Sequence, residues 1–235
     1  MIKNKNFAFV FRLAALMIAL IGLLSRIGVF KGTLSFDSFM FYTIQSNLLA
    51  VVLFIYLSVR TAMSLKAGFK SNLQDNPDWH PRLVMIVAVD LLVTLIVFWA
   101  LLTPVVPASY LWTFENITIH TLTPLLCLLD FILFSERGRL KYRDVYFACI
   151  FPVFYVIFAT ITGFAGYVYN FVEIFGNQDF ASADTAAVRF PYFFLDYDRL
   201  GLTVLFYIGG MLAFFLLLAH LIYFVDRKVK GKNKY

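Results

Sequence analysis

Six uninterrupted apolar runs of about twenty residues constrain this chain most. They fall near residues 7–30, 39–59, 83–103, 113–134, 145–165 and 201–225. At ~1.5 Å of rise per residue, a helix of that length crosses the ~30 Å hydrocarbon core of a bilayer. Backbone N–H and C=O groups cannot stay unpaired in hydrocarbon, so only helices and closed barrels span it. Barrel strands would be shorter and would alternate polar with apolar residues. These runs do not alternate. The chain is therefore expected to be all-α: a polytopic membrane protein forming one six-transmembrane-helix bundle over residues 1–235. Composition agrees, with 61% hydrophobic and 14% charged residues, where a soluble domain carries ~25% charged. The first run is too long for a signal-peptide core and no convincing small-x-small cleavage site follows it, so it reads as a retained span.

Lysine and arginine set the orientation. Two precede the first run, four lie between runs two and three, four between runs four and five, and five follow the sixth. The opposite side has only Arg26, Lys31, Arg189 and Arg199. Both termini should be cytoplasmic, in a multi-pass protein of the cell membrane. This bias, with attraction to anionic headgroups, accounts for the net charge of +6. Nothing in it calls for nucleic acid, and the expected partners are membrane lipids. Cys127 and Cys149 both lie in runs, form no CxxC pair and should be free thiols.

Ionisable groups inside a membrane are costly and mark functional sites by default. His120 sits about seven residues into the fourth run, so ~10 Å below the outer surface. Asn116, His120, Thr123, Cys127 and Asp130 share one helical face by their spacing. Pro124 lacks an N–H and cannot bond the carbonyl of His120, four residues earlier, so the helix should bend there. In the second run Thr43 and Asn47 are four apart, on one face, at ~6–12 Å depth. His120 falls in the same layer, and the long stem of Arg26 can reach it. A hydroxyl becomes a nucleophile when a base takes its proton, and histidine does this near neutral pH. Asn or a backbone amide could hold the oxyanion. In a bilayer the substrate would be a lipid ester. By spacing alone, structural packing of these polar groups is the commoner role.

Other polar residues have plainer readings. Asp90, in the third run, suits a helix–helix contact or a proton relay. Glu115 reads as a rim charge, and Asp130 as a group near a helix end where water reaches. His220 suits an interhelical hydrogen bond. Asp78 with His80 falls far short of a metal site, and no cofactor is expected. The aromatic stretch from Phe190 to Asp196 should lie at the interface or cover the bundle mouth.

The segment Phe41-Tyr-Thr43-Ile-Gln-Ser-Asn47-Leu resembles the F-x-T-x-x-S-N-L opening of span two in the family of the androgen-induced and androgen-dependent TFPI-regulating proteins. His120-Thr-Leu-Thr-Pro124, followed by Asp130, resembles that family's H-x-x-x-P-x-x-x-x-x-D-W signature in span four. Pro152-Val-Phe-Tyr155, Gly163 and the segment from Phe190 to Asp196 are similar to its later motifs. Phe131 stands where Trp is common, and the loop before Phe190 is long. The bacterial branch of the family consists of small six-pass proteins. The resemblance implies an intramembrane threonine hydrolase acting on fatty acid esters of hydroxy fatty acids, with Thr43 as nucleophile and His120 as its partner. Asn47, Asn116, Arg26 and Asp130 are the expected supporting or substrate-binding residues. Two other classes compete: a small transporter or channel with a polar path through Asp90, His120 and Asp130, and a non-catalytic membrane scaffold.

Overall fold

The structure is a computed structural model that describes residues 2–66, 81–171, 174 and 188–232. Asp78 and His80 lie outside the described residues. Among the described residues, six helices are long and apolar enough to cross a membrane: Lys5–Arg26, Tyr42–Lys66, Pro81–Val105, Phe114–Phe134, Asp144–Phe164 and Tyr197–Lys228. The all-α six-helix bundle of an integral membrane protein is thus the fold. An isolated bridge between Tyr169 and Val188 is the β-type pairing among the described residues.

The first span starts where the Asn4 side chain accepts from the Phe7 N–H at 3.0 Å, filling one of the donors a helix start leaves open. It ends at Arg26, four residues short of its apolar run. Gly28 takes φ +86°, and a Cβ there would meet the Thr33 carbonyl oxygen at 2.0 Å, so the chain turns back on itself at that glycine. The buried residues of this span include Ala8, Arg12, Ala15, Ala19, Gly22 and Arg26, at intervals of three and four. Small side chains along one stripe let the backbone approach its neighbours closely, the usual basis of helix association in lipid. The stripe packs on the second and fourth spans. Its two arginines mark its ends, one at each end of the bundle.

The end of the bundle that carries both termini is held by charge. Arg12 bonds Asp130 through Nε at 2.7 Å and Nη2 at 3.2 Å, and gives Nη1 to Thr61 Oγ1 at 2.8 Å. Three spans are tied in one buried fork. This corrects the expectation that water reaches Asp130: the residue is 1% exposed. Depth counting placed it near a helix end but could not see the guanidinium that covers it. Arg82 pairs with Asp144 at 2.7 Å, and Asp226 accepts from the Leu140 N–H at 3.2 Å. The second span runs on to Lys66, beyond the end of its apolar run, and Thr61 in this extension is engaged by Arg12 inside the bundle.

The sixth span is the least enclosed. Leu202, Leu205, Phe206, Leu217 and Leu221 are all exposed, as suits side chains that meet lipid. His220 contacts the Leu216 carbonyl of its own helix at 2.7 Å and, at 3.3 Å, the hydroxyl of Tyr142 in the turn before the fifth span, so its partner outside the helix lies on a turn where a neighbouring helix was expected. Cys127 and Cys149 are free.

Candidate functional site

Two helices are distorted in the same way at the end of the bundle away from the termini. The third span widens into a π-turn over Phe98–Leu102, and the fourth over Thr118–Leu122. In each, the closing threonine N–H reaches back five residues: Thr103 to Phe98, and Thr123 to Thr118. In each, that threonine is followed by proline, Pro104 or Pro124. Proline offers no N–H and crowds the carbonyl four residues earlier. A widened turn just before it relieves that crowding, and such turns recur at functional sites. Where the proline predicts a bend at His120, the helix widens into a π-turn.

The two π-turns meet. Phe98 stacks on the His120 ring with centroids 3.8 Å apart and planes 20° apart. Beside them the Trp99 indole N–H donates to Thr121 Oγ1 at 2.9 Å. His120 Nδ1 lies 3.3 Å from the Asn116 carbonyl oxygen. That oxygen can only accept, so Nδ1 carries the proton and Nε2 the lone pair. Asn116 is itself fixed by donating Nδ2 to the Leu111 carbonyl at 2.8 Å. Its part is to orient the imidazole from behind.

Thr43 sits in the first turn of the second span. Asn47 Nδ2 donates to the Thr43 carbonyl at 2.8 Å and to the Ile119 carbonyl at 3.0 Å. One buried amide therefore clamps the second span to the fourth, at the residue preceding His120. The helix contact on which the shared layer depends is made. The clamp also corrects one expectation. With Nδ2 engaged by two carbonyls, the Asn47 amide has no donor to offer an oxyanion.

Thr43 and His120 line one cavity of about 310 Å³. They are 9% and 6% exposed. No hydrogen bond joins them among the described residues. Arg26 lines the same cavity and donates to the Ile174 carbonyl at 3.2 Å and to Ser38 Oγ at 3.5 Å. Burial pushes the nearby Tyr110 phenol up from its ordinary value, and the Arg26 charge offsets part of that rise. Asp130 lines no part of this cavity.

The aromatic stretch of the long loop covers the cavity, as expected. Phe190, Pro191, Tyr192 and Phe193 line it. Phe190 presses on the fifth span at Gly163, where a Cβ would meet its ring at 2.3 Å. Tyr192 lines the cavity beside Thr43, and its ring centroid stands 6.3 Å from that of Tyr155. Burial raises its phenol above the ordinary value, so it remains a neutral O–H donor at physiological pH. Tyr192 was not among the residues picked out by depth, because a loop residue acquires depth only when the loop folds back.

Asp90 accepts from the Tyr42 hydroxyl at 3.0 Å and is fully buried, a contact between the third and second spans. It does not line the cavity that holds His120. Glu115 pairs with Lys31 at 2.8 Å on the rim. No group of three or more potential metal ligands occurs among the described residues.

The fold and the site together define a multi-pass integral membrane protein with a hydroxyl and an imidazole on the wall of one cavity. Comparison with known proteins found no family, no characterised protein and no solved structure that matches the chain.

Proposed function

We propose that the protein is an intramembrane hydrolase of lipid esters, resident in the cell membrane, with Thr43 as nucleophile and His120 as general base. The observation that carries this reading is the single cavity lined by both side chains at one end of the bundle. Thr43 Oγ attacks the ester carbonyl carbon while His120 Nε2 takes its proton. The Tyr192 phenol donates to the oxyanion, the role left open by the engaged Asn47 amide. The tetrahedral intermediate collapses, the C–O bond to the alcohol breaks, and His120 returns the proton to the leaving oxygen. Water then hydrolyses the acyl-threonine by the same route. Apo sites of this type are often loose and tighten only around substrate, so a direct Thr43–His120 bond is not required beforehand.

The resemblance of the Thr43 and His120 segments to an intramembrane threonine hydrolase family supports the same chemistry. It suggests esters of hydroxylated fatty acids. Arg26 and Arg199 on the cavity wall would suit an acidic group on such a substrate. A transport path through Asp90, His120 and Asp130 is disfavoured. Asp130 is bound by Arg12 at the other end of the bundle, and Asp90 is turned to Tyr42.

The test is hydrolysis of a panel of lipid esters by purified protein in detergent. Activity should be lost in both Thr43→Ala and His120→Ala. Activity that survives both substitutions overturns the assignment.

A further inference from the structure

A second, smaller cavity of about 70 Å³ lies on the other side of Thr43. Thr43, Leu102 and Tyr192 line both cavities and form the partition between them. The smaller one is apolar, with walls from Val93, Pro152, Phe215 and the half-buried Val156, Met211 and Leu212. His120 lines only the larger. No step of the catalytic account given for Thr43 and His120 uses the smaller one.

We infer that the smaller cavity is the acyl subsite, and that the preferred substrates carry a short, unbranched acyl group on a bulkier alcohol. The inference rests on the Thr43–His120 reading, from which it takes the direction of the ester. The leaving alcohol oxygen must receive its proton from His120, so the alcohol side points into the cavity that His120 lines. The acyl side then lies across Thr43, in the smaller space. A cavity of ~150 Å³ holds a benzene ring of six carbons, so ~70 Å³ has room for about three carbons beyond the carbonyl. By the same scale the ~310 Å³ cavity takes an alcohol of about a dozen heavy atoms. A longer acyl chain would extend past the half-buried Val156 and Met211, beyond the walls of the pocket. This makes the acyl group shorter than the fatty acyl that the resemblance implies.

The test uses 4-nitrophenyl esters of one alcohol with acetyl, butyryl, octanoyl and palmitoyl groups, and purified full-length protein in detergent. Rates without protein are subtracted as background, and Thr43→Ala is run in parallel. Wild type should hydrolyse the butyryl ester with kcat/KM at least tenfold above the octanoyl ester. Phe215→Ala, which enlarges the pocket, should narrow that gap. Val156→Phe, which fills it from a half-buried position, should lower butyryl relative to acetyl. These two changes act in opposite directions, so a folding defect in one does not imitate the other. Equal rates on butyryl, octanoyl and palmitoyl esters overturn the subsite, as does a profile unchanged in both variants while Thr43-dependent hydrolysis persists. Hydrolysis that survives Thr43→Ala overturns the underlying nucleophile assignment instead, and the subsite with it.

Discussion

Gly22→Ala is the mildest substitution that should disturb the site from a distance. Gly22 lies on the buried stripe of the first span, against Thr118, the first residue of the π-turn that carries His120. A Cβ on Gly22 would stand 2.2 Å from Thr118 Cγ2 and 2.8 Å from its Cβ. Ordinary contact begins at 3.4 Å, so the two helices must separate by about an ångström or the π-turn must shift. Thr118 cannot simply swing away, because its hydroxyl donates to the Phe114 carbonyl at 2.7 Å. Overpacking of this kind costs ~1–3 kcal/mol. His120 is two residues further along, and a misplacement of ~1 Å can lower a rate by ~10²-fold. We therefore expect a lower midpoint for thermal unfolding in detergent and a fall in ester hydrolysis of one to two orders of magnitude. Thr118→Ala in the same background removes Cγ2, leaves Cβ, and should restore part of both. The coupling between the two substitutions should be of order 1 kcal/mol in a double-mutant cycle. Gly22→Ala with wild-type unfolding and activity would refute the packing argument. So would a Thr118→Ala that worsens Gly22→Ala.

Three further outcomes follow from the contacts described. Asp130→Asn leaves the buried Arg12 guanidinium without its counter-charge, and loss of one partner of such a pair costs ~3–5 kcal/mol. Unfolding in detergent should shift accordingly, whereas the shape of the substrate profile should not change. Tyr192→Phe removes the proposed oxyanion donor and should lower kcat by ~10²–10³-fold with little change in KM, measured by steady-state hydrolysis. Asn47→Ala removes the clamp between the second and fourth spans. It should cost ~1–3 kcal/mol of stability and reduce activity without abolishing reaction at Thr43, as read by unfolding and by initial rates.

The sequence carried the spans and the layer of the site. Apolar length located six helices, with ends displaced by up to seven residues at Lys66, because hydrocarbon admits few other solutions. Counting residues from the span ends brought Thr43, His120 and Arg26 to one depth, and they do share a cavity. Helical spacing was less informative about partners. It put Asn116, His120 and Asp130 on one face, yet Asn116 serves the imidazole through its carbonyl and Asp130 serves Arg12 at the far end. The ideal-helix spacing also passed over the π-turn, which rotates everything beyond it. The repeated Thr-Pro pairs, Thr103-Pro104 and Thr123-Pro124, mark both π-turns in the sequence. Tyr192 was hidden for a different reason: its place depends on how the loop returns over the bundle, which no local pattern encodes.

The most direct measurement is mass spectrometry of the protein quenched in acid during turnover of a 4-nitrophenyl ester. The acyl mass should map to the peptide containing Thr43, vanish in Thr43→Ala and diminish in His120→Ala. An acyl mass on another residue, or ester turnover that continues unchanged in Thr43→Ala, would contradict the assignment of Thr43 as the nucleophile.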